Sequence, residues 1–129
     1  MPDPLLERDE DLPDPSAGLL PPGFHVFPET IDDAVLVRIE GELDMASAPR
    51  LGRVLNTALD QGASAVSLDL TELTFLDSTG VRVLISAHRR AADQGCAFTL
   101  SAPTRSVRRA LHLTGVDQLL VIEPSPSLN

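Results

Sequence analysis

The chain of 129 residues has no tryptophan or tyrosine, only four phenylalanines and a single cysteine. The core must therefore be built from aliphatic side chains. One cysteine cannot close an intramolecular disulfide and excludes metal sites built on cysteine pairs. The three histidines lie in separate segments without the spacing of metal ligands, and no phosphate-binding loop of the Gly-x-x-x-x-Gly-Lys type is present. Neither a metal nor a cofactor is expected. No apolar run approaches the roughly 20 residues of a membrane-spanning helix, and the acidic, proline-rich start does not resemble a signal peptide. We expect a cytoplasmic protein with no membrane insertion.

Basic charge is also scarce, and it is unevenly distributed. The formal net charge is −9. Residues 1–33 contain nine acidic residues and one arginine, whereas the remainder contains ten acidic residues and nine arginines. A protein that binds nucleic acid is expected to carry a basic stripe, because phosphate contacts dominate its affinity. The sequence therefore argues against nucleic acid as a partner.

The composition divides the chain into three parts. Residues 1–23 combine prolines with acids and show no sustained periodicity, which predicts a disordered leader. Residues 24–122 contain the periodic segments and are predicted to form a single domain. Residues 123–129 predict a flexible tail.

Within that domain, strand patterns alternate with helix patterns. The segments "FHVFPET" and "AVLVRIEG" predict two strands joined by a turn at Asp32-Asp33, and the second shows nearly strict period-two alternation. Ser47 and Pro49 predict the cap and first turn of a helix that stops at Gly62. Further strands ("AVSLDL", "AFTL" and "LLVI") alternate with helices predicted over residues 78–94 and 104–113. This order predicts an α/β fold, with a mixed sheet of about four to five strands packed against amphipathic helices.

The polar cluster Asp77-Ser78-Thr79-Gly80 stands at a junction between strand and helix, and its residues leave three interpretations open. Asp77 or Ser78 could cap the helix through a first-turn N–H group. Ser78 could be a nucleophile, although Leu76 occupies the place where the Gly-x-Ser-x-Gly motif of hydrolases needs glycine. Ser78 could also accept a phosphate, which a helix N-terminus tolerates because its dipole and free N–H groups favour anions.

Two motifs and their order resemble one family. Gly41-Glu42-Leu43-Asp44 ends one predicted strand, and Asp77-Ser78-Thr79-Gly80 opens a helix after the next strand. Together with "SVRRALHLTGVDQLL", they resemble the anti-sigma factor antagonist family, the STAS domain, over residues 24–122. The residues alone suggest only a turn or cap role for Asp44.

The resemblance implies a binding switch rather than an enzyme. The partner would be an anti-sigma factor with serine kinase activity, and binding would release a sigma factor in a bacterial cell. Phosphorylation of Ser78 would end the complex, and a phosphatase would reset it. Asp44, Asp77, Ser78, Thr79 and Gly80 would form the partner-binding surface. Two alternatives remain: a subunit of a transport system or stress-sensing assembly without phosphorylation, and, remotely, a small serine hydrolase. The family's final helix has no counterpart in "EPSPSLN".

Overall fold

The computed structural model describes residues 23–124. In this part of the chain, one five-stranded sheet is combined with three α-helices and a short 3-10 turn, Val116–Gln118. The elements are β1 (Phe24–Ile31), β2 (Ala34–Leu43), α1 (Ala48–Asp60), β3 (Ala65–Leu76), α2 (Ser78–Asp93), β4 (Ala97–Ser101), α3 (Arg105–Leu113) and β5 (Val121–Glu123). The predicted α/β class and mixed sheet are confirmed. Most of the predicted leader and tail, residues 1–22 and 125–129, lies outside the described residues.

The strands follow one another across the sheet in chain order, β1-β2-β3-β4-β5. The first pair is antiparallel, and the three others are parallel. Each parallel pair is connected through one helix, and crossovers of one hand that all step in the same direction place their helices on the same face of the sheet. The carboxyl ends of β2, β3 and β4 consequently meet the starts of all three helices at one edge, called here the upper edge.

The side of the sheet that carries the helices holds the core. Alternate residues of β2 and β3 are buried there, including Val37, Ile39, Leu68 and Leu70, all with no exposed surface. The residues between them point to the opposite face, as Arg38 does, and remain in contact with solvent. This alternation follows from the period of two in a strand, and it gives the sheet one buried face and one solvent-exposed face.

Strand β3 is longer than the sequence predicted. The pattern "AVSLDL" covers only residues 65–70, whereas β3 continues to Leu76. Beyond Leu70 the buried residues are Leu73 and Leu76, which are three apart and do not show the spacing of a strand. The pairing of β2 with β3 shifts between Arg38 and Glu40 and again after Gly41. These irregularities insert extra residues and change which face the side chains occupy.

Ser47 occupies the predicted N-cap position of α1, but the predicted capping hydrogen bond is absent. Ser47 precedes α1, but its side chain does not cap the helix. The buried hydroxyl instead donates to the carbonyl oxygen of Glu42 at 2.7 Å and accepts from the backbone N–H of Asp44 at 2.9 Å. Ser47 therefore fixes the loop between β2 and α1.

Candidate functional site

The two acidic motifs, Gly41-Glu42-Leu43-Asp44 and Asp77-Ser78-Thr79-Gly80, lie side by side at the upper edge of the sheet. Leu43 and Leu76 are paired across β2 and β3, so Asp44 and Asp77 follow at neighbouring strand ends. The backbone N–H of Asp77 donates to the carbonyl oxygen of Leu43 at 3.1 Å, which ties the start of α2 to the end of β2. Adjacent strands lie about 5 Å apart, so segments separated by more than 30 residues in the chain form one surface.

Asp44 holds the loop that leads into α1. One carboxylate oxygen, Oδ1, accepts from the backbone N–H groups of Ala46 and Ser47 at 3.0 and 3.1 Å. The same oxygen lies 3.2 Å from the Ser47 hydroxyl. The turn role suggested for Asp44 by its residue type is confirmed, and the residue also lies on the surface shared with the start of α2.

Asp77 caps α2. Its backbone is extended, and its carboxylate accepts from the N–H of Gly80 at 2.9 Å, as expected of a capping aspartate. The capping interpretation therefore applies to Asp77, and Ser78 is left as the first residue of the helix. The hydroxyl of Ser78 is exposed and makes no hydrogen bond within residues 23–124.

Gly80 is required by packing. A Cβ atom at this buried position would lie 2.7 Å from Cδ1 of Leu76 and 2.8 Å from Cγ of Leu43. The first turn of α2 therefore approaches the ends of β2 and β3 more closely than a side chain allows. The glycine allows the first turn of α2, which includes Ser78, to lie close to the ends of β2 and β3.

Thr79 faces a different direction from Ser78. It is half-buried and lines a groove of about 280 Å³ between α1 and α2, together with Asn56 and Arg82. Arg82 is exposed and stands four residues after Ser78, which is one turn further along the same side of the helix. The surface at the start of α2 therefore combines two acidic loop residues with a nearby cation.

Two exposed apolar side chains lie close in the chain to the motif aspartates and were missed by the sequence reasoning. Met45, directly after Asp44, is 75% exposed, and Phe75, two residues before Asp77, is 48% exposed. Phe75 is paired with Glu42 on the neighbouring strand, so it lies beside the Asp44 loop. The sequence signal that could have identified them was their closeness to Asp44 and Asp77 in the chain. Their exposure could not be inferred, because the sequence pattern of β3 loses its period of two here.

None of the three histidines is hydrogen-bonded to Ser78 within the described residues. His88 packs against Phe98, with 6.4 Å between ring centroids, and Nδ1 of His112 lies 2.8 Å from Asp117 Oδ2. His25 stacks on Phe27 in β1. A nucleophilic serine needs a base within hydrogen-bonding reach, and the described residues do not bring one to Ser78.

The remaining chemistry of the described residues is sparse. Burial raises the pKa of the Cys96 thiol above its ordinary value, and a hydrogen bond from the Val66 backbone opposes the shift only in part. Residues 23–124 contain no cluster of three or more histidine, cysteine, aspartate or glutamate side chains arranged to hold a metal ion. In the same residues, no helix has the length and apolar character needed to span a membrane.

Comparison with known proteins agrees with the resemblance of the motifs. The chain is 29% identical over 91 residues to the anti-sigma-B factor antagonist of Bacillus subtilis (strain 168), covering 70% of this chain and 83% of that protein. An anti-sigma factor antagonist from Mycobacterium paratuberculosis has the same fold with a TM-score of 0.74 and 27% identity, over 82% of this chain and 90% of that one. The Bacillus cell fate determinant SpoIIAA in its phosphorylated form gives a TM-score of 0.61 at 23% identity, over 78% and 90% of the two chains, and shows the shared fold alone.

The model of the STAS domain matches residues 27–128, which is more than half of the chain. The matched range includes all of β2 to β5, the three helices and both acidic motifs. The chain therefore belongs to the STAS domain family.

Proposed function

We propose that this protein is a cytoplasmic anti-sigma factor antagonist that binds an anti-sigma factor with serine kinase activity, and that phosphorylation of Ser78 ends the binding. A phosphatase acting on the modified Ser78 completes the cycle. The observation that carries the proposal is the position of Ser78. Its hydroxyl is exposed and makes no hydrogen bond within the described residues, and it stands at the first position of α2, directly after Asp77 and at the same end of the sheet as Asp44. The relatives named as anti-sigma factor antagonists support the same role.

The fold can carry a phosphate at Ser78 without rearrangement. The first N–H groups of a helix have no intrahelical acceptor, and the positive end of the helix dipole lies there. The N–H of Gly80 is taken by Asp77, which leaves the preceding N–H groups of the turn for a phosphate. Arg82 lies one turn away and can supply a compensating charge. SpoIIAA, which shares the fold, has been solved in a phosphorylated form.

A partner surface around Ser78 would be sensitive to that phosphate. Met45 directly follows Asp44 and Phe75 precedes Asp77 by two residues, and both supply exposed apolar area close to the motifs, as expected at a protein interface. A phosphate on Ser78 adds a charge of about −1.5 to −2 to this end of the sheet. Burying such a charge against a partner is unfavourable unless it is paired. A loss of about 3 kcal/mol corresponds to roughly a hundredfold weaker binding, which is enough to empty the complex.

The first test is intact-mass spectrometry of the protein incubated with ATP and lysate of its source. We expect one added phosphate on the wild type and none on Ser78→Ala. Ser106→Ala is the matched control, because Ser106 is also an exposed serine in the first turn of a helix, α3. Phosphate retained by Ser78→Ala, or lost in Ser106→Ala, would contradict the assignment.

The second test measures binding to the purified kinase by calorimetry. We expect tight binding of the unmodified protein, a weaker complex for Ser78→Asp and the weakest for protein phosphorylated on Ser78, because aspartate carries one charge and phosphate nearly two. Ser106→Asp adds the same charge at the start of α3, at the same edge of the sheet but outside the motif, and should weaken binding less than Ser78→Asp does. Equal affinity of the phosphorylated and unmodified proteins would refute the switch and favour a family role without phosphorylation.

A further inference from the structure

The outer side of α3 carries positive charge that the proposed function does not use. Arg105, Arg108 and Arg109 are exposed, and the helix itself contains no acidic residue. Within residues 23–124, the guanidinium groups of these three arginines form no ion pair and no hydrogen bond. The net charge of the whole chain is −9, so α3 is a local exception to the balance of charge.

The arginines share their side of the helix with an exposed leucine. Residues four apart in a helix lie on the same side, so Arg105, Arg109 and Leu113 follow one another in line, with Arg108 beside them. Leu113 is 69% exposed. At a rise of about 1.5 Å per residue, this surface is about 12 Å long. These four residues are called here the α3 stripe.

The stability of α3 does not account for the charge of the stripe. Arg105 is the first residue of the helix, where the positive end of the helix dipole disfavours a cation. Arg109 follows four residues later, and like charges at this spacing destabilise a helix. The described residues supply no carboxylate that offsets either effect. Carboxylates of another molecule would relieve both.

The α3 stripe begins at the edge of the sheet that holds Ser78. The hydroxyl of Thr104, the cap of α3, donates to the carbonyl oxygen of Leu73 at 3.4 Å. Leu73 lies near the end of β3, and α2 starts with Ser78 directly after this strand. A partner that covers Ser78 can therefore reach Arg105 at the same edge. The rest of the stripe continues from there along α3.

We propose that the α3 stripe is a second contact for the anti-sigma factor, which meets it with an acidic segment. The identity of this partner rests on the proposed function, whereas its chemistry follows from the stripe. Guanidinium groups bind carboxylates through paired hydrogen bonds, and arginine is enriched in protein interfaces. An anionic membrane fits less well, because lipid-binding clusters contain about four to eight basic residues and the whole chain is negative.

The two contacts act on different steps of binding. Opposite charges at the rim of an interface accelerate the encounter of two proteins, and this effect depends on salt. A phosphate on Ser78 instead places charge on the surface that the partner covers, which acts on the lifetime of the complex. The α3 stripe thus sets how fast the partner is found, and Ser78 sets how long it is held.

The test measures association of the full-length protein with the purified kinase by stopped flow, without ATP, so that Ser78 stays unmodified. Arg105→Gln with Arg109→Gln should associate about tenfold more slowly than the wild type at about 0.01 M salt. The difference should become small at about 0.15 M salt, where the Debye length falls from about 30 to about 8 Å.

Arg53→Gln with Arg89→Gln is the matched control. It removes the same charge from exposed arginines of α1 and α2, which also form no ion pair within the described residues. This variant should associate nearly as fast as the wild type. Neither double variant loses an ion pair, so both should melt at or above the melting temperature of the wild type.

The outcomes separate this contact from the proposed function. Equal association rates of the two double variants would overturn the α3 contact and leave the complex, and with it the proposed function, in place. Absence of any complex between the wild type and the kinase would refute both. Binding of the wild type, but not of the α3 variant, to phosphatidylglycerol vesicles, together with equal association rates, would assign the stripe to a membrane instead.

Discussion

Replacement of Gly80 by alanine tests the close approach of α2 to the sheet. The added Cβ would lie 2.7 Å from Leu76 Cδ1 and 2.8 and 3.0 Å from Leu43 Cγ and Cδ2. Real Cβ atoms do not approach other heavy atoms so closely, so the helix or both leucines must move. Leu43 has no exposed surface and Leu76 only 6%, which leaves neither side chain an empty direction to move into.

Two opposing effects determine how much Gly80→Ala changes the free energy of unfolding. Alanine is favoured over glycine inside a helix by about 1 kcal/mol. Overpacking of a filled core costs about 1 to 3 kcal/mol, so we expect Gly80→Ala to lower the free energy of unfolding by up to about 2 kcal/mol. Gly52 provides a matched control in α1, because its Cβ would meet only Val83 Cγ1 at 4.0 Å. Gly52→Ala should be neutral or stabilise by up to about 1 kcal/mol.

The assay is urea and thermal unfolding of the two variants, followed by circular dichroism. A difference of 1 kcal/mol shifts the melting temperature of a domain of this size by about 4 to 8 °C. Gly80→Ala should therefore melt several degrees below the wild type and further below Gly52→Ala. The slope of the free energy of unfolding against urea concentration should not change. If Gly80→Ala is as stable as Gly52→Ala, the packing argument at the start of α2 is refuted.

Three further substitutions or reactions test other parts of the structure. Asp77→Ala removes the cap on the Gly80 N–H and should destabilise the protein by about 1 kcal/mol in urea unfolding, and Asp77→Asn should restore most of it. Ser47→Ala removes the buried hydroxyl that donates to the Glu42 carbonyl and accepts from the Asp44 N–H, and should cost about 1 to 3 kcal/mol; a neutral result would argue against these bonds. Iodoacetamide should modify Cys96 slowly in the native state and quickly in urea, and the native rate should keep rising above pH 9, because burial raises the pKa of the thiol.

The elements that follow a simple period were predictable. Val35, Val37 and Ile39 alternate with partly exposed residues, and this pattern alone identified β2 and its buried face. The turn at Asp32-Asp33 then predicted the antiparallel first pair, which the register confirms. Local residue chemistry was sufficient wherever a strand kept one regular face towards the core.

The end of β3 and the role of Ser47 were not predictable, for a common reason. Shifts in the pairing of β2 with β3 change the side-chain period, so the sequence pattern no longer reports which side chains are buried. The exposure of Phe75 follows from that irregularity. Ser47 likewise stands where a cap belongs, but its hydroxyl has a closer acceptor on β2 that only the folded chain brings near. In both places a contact between distant segments overrides the local preference.

At the candidate site, the residues that stabilise the fold differ from the residue that is proposed to control binding. Asp77 caps α2 and Gly80 permits its close packing, so substitutions there alter folding before they alter a partner surface. The Ser78 hydroxyl is exposed and has no hydrogen bond within the described residues, so Ser78→Ala should leave the free energy of unfolding within about 0.5 kcal/mol of the wild type. Any larger effect of Ser78→Ala on partner binding or phosphorylation then belongs to the surface and not to the fold. A clear loss of stability in Ser78→Ala would mean that the serine takes part in the cap. That loss would then have to be subtracted from the effect of Ser78→Asp on partner binding.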